Sequence, residues 1–445
     1  MTARLLTIWN RINASYWFWP ATFCIIAFFL SLFTVWLDRN GASDWLSASS
    51  ALAPARPGGA TTMLQVIAGS MLGVAATVFS ITIAAVAYAS GTYGPRLLTN
   101  FMEDRGNQLS LATFIGTFVY AIMILRVVRH EDEQATTLKG ALASDIPGFV
   151  PQLSLLVATG LMLVSVAVLV FFLNHIPSKI RINKVLENIG RRLISQIKDR
   201  FPKEGGDADT VDLPDGKQVT AGRSGYIEMI DFDGLEDAAN KFEGRIVLLQ
   251  EAGDFVHPLV PLARFSDGQC DDACADAIRD CFVLTGLRTP QQDLRFLIDE
   301  LVEIALRALS PGINDPFTAM TALHWLGAAT AELGRRELHV SPNDIDKQDK
   351  RCVFPLHSDF TDYVAHGFGA SRSAVATSRK AAIAMFDALR DCATSVTSHS
   401  RVAALRAEGD RLMDQCATNL KGPDLSEVHD RHRAFQAELA AKAPA

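Results

Sequence analysis

The sequence lacks the signatures of ordinary catalysis. Its 445 residues hold no G-x-x-x-x-G-K-S/T phosphate loop, no G-x-S-x-G nucleophile turn and no H-E-x-x-H metal pair. Nothing is therefore placed to cradle a phosphate, activate a serine or hold zinc. No catalytic residue, cofactor or metal is assigned, and an enzyme is not expected. Excess basic charge is missing too: Lys and Arg total 42 against 49 Asp and Glu, a formal charge of −7. Without a basic stripe interleaved with aromatics, a nucleic-acid partner is excluded. C-x-x-C is also absent. The seven cysteines (Cys24, Cys270, Cys274, Cys281, Cys352, Cys392 and Cys416) are an odd number, which fits reduced thiols better than a disulfide framework. Cys270, Cys274 and Cys281 follow at i, i+4 and i+11, so one helix face would hold all three, as small core residues rather than metal ligands. His429 and His432 stand in a polar tail and are not read as ligands either.

Charge is also missing from four long apolar runs, and this absence organises the chain. They are Trp17–Leu37, Thr62–Tyr88, Leu109–Leu125 and Leu153–Leu173. About 20 apolar residues cross a hydrocarbon core of ~30 Å as a helix. Trp17, Trp19 and Trp36 flank the first run, where amphipathic rings prefer the headgroup level. That run is too long for a cleaved signal peptide, and "DRNGASDW" after it offers no small-residue cleavage site. The third run would reach Val128 if Arg126 snorkelled.

The second run carries a face of small and weakly polar residues. At 100° per residue Gln65, Gly69, Gly73, Ala76, Thr77, Ser80, Ala84 and Ala87 align, with Val66, Ser70 and Ile83 in the same arc, while Ile67, Met71, Val74, Val78 and Ile81 lie opposite. Such a stripe, with the GxxxG of "GSMLG", suits close helix packing or a pore wall. In the third run Thr113, Gly116, Thr117, Tyr120 and Ile124 share a face in the same way. Between these runs Pro95 could start a short interfacial helix with Leu97, Leu98, Phe101 and Met102.

Lysines and arginines near the span ends give the orientation. Nine lie on the side of the N-terminus, the second-to-third connection and the stretch after span four; five lie opposite, with the acidic run Glu131–Asp132–Glu133. Both termini are expected in the cytoplasm, in a bacterial inner membrane.

The rest of the chain is charged and mixed in pattern. Four segments follow: a four-helix transmembrane domain over 1–175, a basic amphipathic helix and turn-rich linker over 176–216, a small β-rich module over 217–265 and a helical cytoplasmic domain over 266–445. In the amphipathic helix Ile180, Val185, Ile189, Leu193 and Ile197 make the apolar stripe. In the β-rich module "SGYIEMID", "GRIVLLQ" and "EAGDFVHPLVPLARF" read as extended segments, with "LEDAANKFE" helical between. The arrangement resembles small barrel-sandwich modules of the biotin-carrier type in shape only, because no lysine stands at a hairpin tip. The fold class is thus a mainly α membrane protein with four transmembrane helices, followed by a cytoplasmic α+β region of one small barrel-like module and a helical bundle.

The stretch "RALSPGINDPFTA", 307–319, joins two helical patterns. Pro311 and Gly312 stop the first, and Asp315 followed by Pro316 starts the second, with the Asp315 carboxylate accepting from the Thr318 amide. Upstream, Asp299, Glu303 and Arg307 stack at i, i+4 and i+8. An arginine one turn on favours ionised, paired carboxylates over an acid/base pair. Arg307, Ser310 and Asn314 are the residues a turn explains least. Near a helix N-terminus they could hold an anion or a partner's carboxylate.

"RTPQQD", from Arg288 to Asp293, followed by "RALSPGINDPFTA", resembles domain-of-unknown-function family 2254, predicted bacterial membrane proteins. "VFSITIAAVAYASGTYGPRLLTNFMEDR" and "GTFVYAIMILR" are similar to that family's membrane-region motifs. The resemblance covers nearly the whole chain and implies a multi-span protein with a large soluble part. It transfers no reaction and no catalytic residue. Two functions follow as expectations. One is a homo-oligomeric channel or transport-type protein passing a small ion or solute, assembled or gated by its cytoplasmic part. The other is a membrane-anchored sensor or scaffold that binds through the corner around Asn314.

Overall fold

The computed structural model describes residues 12, 15–41, 56–94, 104–129, 149–205, 215–338, 352–356, 358–396 and 398–442. The short interfacial helix expected after Pro95, the acidic run at 131–133 and most of the linker at 203–216 fall outside those residues. The described residues divide into two compact units, one built on the first four long helices up to Arg181 and the other starting at Ile182.

The first unit holds α1 (Phe18–Arg39), α2 (Pro57–Tyr93), α3 (Arg105–Leu125) and α4 (Gln152–Ile180). All four are long and apolar enough to cross a membrane. Their outward faces carry large apolar side chains, among them Phe29, Phe33, Leu163 and Val170, as lipid-facing surfaces should. Inside, polar groups meet one another rather than hydrocarbon. Tyr120 of α3 sits fully buried, 2.9 Å from the Thr34 hydroxyl of α1, and donates to the Ser154 carbonyl of α4 at 3.2 Å. Thr117 and Ser165 pair at 2.9 Å. Gly116 lets α3 approach the Phe23 backbone of α1.

Asp38, one residue past the apolar run, is buried in this bundle. Its carboxylate accepts from the Leu153 and Ser154 amides at 2.9 Å each and from the Ser154 hydroxyl at 2.7 Å. It therefore caps α4 from another helix, since Pro151 at the N-cap supplies no side-chain acceptor. α3 stops at Leu125 rather than reaching Val128: Arg126 and Val127 form a turn that satisfies the last carbonyls.

The expected single helix from Ile176 onward is two. Pro177 lies inside the last turn of α4, and the backbone is extended at Arg181 (ψ 117°) before α5 (Ile182–Arg200) begins. Of the apolar stripe, Val185, Ile189, Leu193 and Ile197 are buried on α5 as read, and Leu186 joins them, while Ile180 belongs to α4. Gly190 faces the Trp325 ring so closely that a Cβ would overlap it.

The β-rich part is two small sheets rather than one barrel. β1 (Lys217–Thr220), β5 (Pro261–Ser266), β3 (Arg245–Leu248) and β7 (Val353–Phe354) form one, in that order. β4 (Phe255–Val256), β2 (Gly225–Ile230) and β6 (Phe282–Thr285) form the other. Pairing is antiparallel except β3 with β7. β6 and β7 lie beyond Phe265, so the core of this module draws on chain read as helical. α6 (Phe232–Lys241) and α7 (Asp272–Asp280) pack on it. α7 is too short to display three cysteines on one face. Asp271 caps its start, Cys270 precedes it, and Cys281 ends it as the chain turns into β6. Cys274 and Cys281 are buried in the shared apolar core.

The remaining helices are α8 (Leu294–Ala308), α9 (Pro316–Gly334), α10 (Phe360–Val364), a π-turn over Ala365–Gly369, α11 (Ala370–Val375), α12 (Arg379–Ser395), α13 (His399–Asn419) and α14 (Gly422–Lys442). α14 is no polar tail. Its Val428, Phe435 and Leu439 are buried, and His432 packs on Phe386 and lies 2.8 Å from Asp410. Arg401, also buried, donates to the carbonyls of Leu333, Gly334 and Arg336 and so caps the end of α9.

Candidate functional sites

The sequence pointed to two places, and the structure treats them differently. On α2 the small and weakly polar stripe faces outward. Gln65, Gly69, Gly73, Ala76, Thr77, Ser80 and Ala84 are exposed, while Leu64, Ile67, Ala68, Met71, Ala75, Val78 and Thr82 are buried on the bundle side. A Cβ on Gly69 or Gly73 would meet nothing within 4 Å. The Thr77 and Ser80 hydroxyls donate to their own helix, at the carbonyls of Gly73 and Ala76. On α3 the matching stripe faces inward: Thr117 and Tyr120 are buried in inter-helix hydrogen bonds, while Thr113 sits near the surface and donates to Leu109.

The second place is "RTPQQD". It forms the junction where α5, the sheets and α8 meet. Gln196 of α5 donates to the Pro290 carbonyl at 2.9 Å, and Arg200 to that of Gln292 at 2.8 Å. The Gln292 amide grips β2 at both backbone atoms of Ile230, accepting at 2.8 Å and donating at 3.2 Å. Asp293 caps α8 through the Phe296 amide. A single hexapeptide thus accepts from two side chains of one helix, holds the last residue of the central strand of one sheet and caps the start of another helix.

Around Asp293 lies an ion network. Arg288 binds Asp293 Oδ2 through Nε (2.9 Å) and Nη2 (2.6 Å), and Asp299 Oδ2 through Nη1 (2.7 Å). His366, in the π-turn, places Nε2 2.7 Å from Asp299 Oδ1. Arg295 binds Asp254 at 2.7 Å and lies 3.6 Å from Glu251. The Ser358 amide and hydroxyl also donate to Glu251. Burial works against both guanidinium charges, yet the carboxylates beside them outweigh it and hold Arg288 and Arg295 above the ordinary arginine range. Tyr363, beside the network, is pushed up to about 12 by burial. With every carboxylate here bonded to a cation or an amide, the cluster is a fastening rather than a proton store.

Gly253 makes the fastening possible. Its φ is +97°, and a Cβ there would overlap the Asp293 carboxylate. Glu251, Gly253, Asp254, Arg295, Ser358 and His366 were not singled out in the sequence. Only Arg295, two residues past the hexapeptide, stands close enough to have been suspected.

At the 307–319 corner Asp315, Ser310 and Arg307 each have a local partner. Asp315 caps α9, accepting from the amides of Phe317 (3.1 Å) and Thr318 (3.2 Å) and from the Thr318 hydroxyl (2.6 Å). Ser310 donates its hydroxyl to the Arg307 carbonyl, and Arg307 pairs with Glu303 at 3.3 Å. Asp299 does not join that stack; it turns to Arg288 and His366. Asn314 takes the left-handed conformation (φ +48°) within the turn. Pro311, Gly312, Asn314 and the neighbouring Ile313 are exposed, and Pro316 is half-buried.

Beside the hexapeptide, in the same unit, is a cavity of about 500 Å³, walled in part by Gln196, Arg200, Gln250, Gln291, Phe232 and Leu248.

Four apolar helices joined to a large charged unit define a multi-span membrane protein. The family model for predicted membrane proteins of domain-of-unknown-function family 2254 matches residues 13–391, and the chain belongs to that family. The "uncharacterized protein Rv1290c" of Mycobacterium tuberculosis is 29% identical over 330 residues, covering 70% of this chain and 59% of its own length. A Mycobacterium bovis counterpart, Mb1321c, matches equally. The chain therefore spans less than two thirds of the relatives it matches. No solved structure matches.

Proposed function

We propose that the protein is a homo-oligomeric, channel- or transport-type protein of a bacterial inner membrane, with α2 as the helix through which copies meet. Both termini and the C-terminal unit lie on the cytoplasmic side, where that unit assembles or gates the complex, and the passenger is a small ion or solute. One observation carries the reading: the outward stripe of α2. From Gln65 to Ala84 it runs 20 residues, 19 rises of 1.5 Å or roughly 29 Å, about the thickness of the hydrocarbon core. The outward faces of the other helices bear Phe, Leu and Val, and on α2 itself Val66, Leu72, Phe79 and Ile83 flank the stripe. Small residues gain little by facing lipid, but they let a second backbone approach closely, and an outward amide such as Gln65 prefers protein or water to hydrocarbon. Purified full-length protein in planar bilayers tests the activity. The reading expects unitary conductance or solute flux that falls when Gly73 and Ser80 are replaced by leucine. A protein that passes nothing in repeated preparations contradicts it.

The anchored sensor is a second reading, favoured by the 500 Å³ cavity rather than by the corner. It expects a ligand-dependent change in contacts between copies.

A further inference from the structure

Ile313 and Phe317 stand on the 307–319 corner 47% and 63% exposed, with Pro311 and Gly312 exposed beside them. Exposure alone decides nothing, since Leu287 in the same unit is 78% exposed. Position does. Gly190 of α5 meets Trp325 of α9, and eleven residues further along both segments the Phe201 and Pro202 carbonyls accept from Arg336. The two helices therefore run side by side in the same direction. Eight residues back from that glycine and that tryptophan stand Ile182 and Phe317, each roughly 12 Å away along its helix. Phe317 is thus level with Ile182, which opens this unit two residues past the end of α4. Gly94 gives a second fixed point. It lies three residues past the apolar stretch of α2, belongs to the same unit as α8, and comes so close to Glu303 that a Cβ would sit 2.6 Å from Oε1. The corner is therefore at the end of the unit where the chain leaves the second and fourth spans.

Its backbone suits a place where water is scarce. The Ile313 and Asn314 amides donate to the Ser310 carbonyl at 3.0 and 2.9 Å, the Asp315 amide donates to the Ala308 carbonyl at 2.7 Å, and those of Phe317 and Thr318 donate to the Asp315 carboxylate. Pro311 and Pro316 carry no N–H to satisfy. An apolar tip with its donors turned inward enters a headgroup layer at little cost. Lys380 Nζ stands 4.3 Å from the centroid of the Phe317 ring, so the apolar body carries a cation beside it, a combination that favours a lipid surface with anionic phosphates.

We infer that the 307–319 corner rests in the interfacial layer of the bilayer. Ile313 and Phe317 lie at the boundary of headgroups and acyl chains, and the Lys380 ammonium lies at the level of the phosphates. The assignment stands whether or not copies meet through α2.

Spin labelling of the full-length protein in liposomes of mixed zwitterionic and anionic phospholipid tests it, in a background lacking Cys24, Cys270 and Cys352. Labels are attached through Ile313→Cys, Phe317→Cys and Leu287→Cys. Leu287 is the control: it lies three residues before Pro290, whose carbonyl binds Gln196 near the other end of α5. The rate of collision with oxygen, which partitions into lipid, is compared with that of a water-soluble nickel chelate. Their ratio should be about three-fold or more higher at Ile313 and Phe317 than at Leu287. Either corner position suffices if the other variant fails to fold. Equal ratios at the corner and at Leu287 overturn the assignment. So do corner labels shielded from both reagents, which is what a second copy or another protein seated on the corner would give.

Discussion

Gly253 is the residue with least freedom to change. Its left-handed backbone and the Asp293 carboxylate against its α-carbon both exclude a side chain. Gly253→Ala should destabilise the full chain by about 2 kcal/mol or more in chemical denaturation, because strain at φ > 0 adds to a displaced helix cap. Asp38 makes a comparable case in the membrane unit. Asp38→Ala leaves the Leu153 and Ser154 amides without their acceptor, and a loss of roughly 1–3 kcal/mol is expected in thermal unfolding in detergent. Asp38→Asn, which keeps one acceptor, should lose less. Asp315 links stability to pH. The Thr318 hydroxyl, chiefly, holds its carboxyl below the ordinary 3.8; burial opposes this, and the Thr318 and Phe317 amides add to it. Because the folded value lies below the unfolded one, the cap contributes fully above about pH 4 and fades as pH falls through the lowered value. Asp315→Ala should cost about 1 kcal/mol at pH 7, and its gap from the parent should shrink below pH 4.

At the scale of elements, Gly190 sets how closely α5 meets α9. Gly190→Leu should drive the two apart at Trp325, lower the melting temperature and shift Trp fluorescence, since overpacking typically costs about 1–3 kcal/mol. The four spans, the stripe of α5 and the whole of α9 with its Asp315–Pro316 start were legible, because each is written locally in period and cap. The paired sheets were less so. β6 and β7 are four and two residues long and lie within chain that reads as helical or loop, so only pairing with β2 and β3 defines them. The network around Asp293 was not legible at all beyond Arg288, Asp293 and Asp299. Apart from Arg295, its other members come from 251–254, 358 and 366, and no spacing in the sequence announces that they meet. The stripes on the second and third runs look alike in sequence, yet one is buried and one is not. Which neighbour covers a helix face is a property of the bundle, not of the helix.

For the whole molecule, the account rests on what covers α2 in the membrane. Phe29 of α1 and Val170 of α4 are 63% and 64% exposed and face outward, as the α2 stripe does, but their chemistry suits lipid. The decisive measurement is disulfide cross-linking in native membranes of single-cysteine variants in a background lacking Cys24. Gly73→Cys and Ser80→Cys should give cross-linked dimers rapidly, while Phe29→Cys and Val170→Cys should give few. Equal yields at all four positions, or no dimer at Gly73 and Ser80, would contradict the central claim that copies of the protein meet through α2.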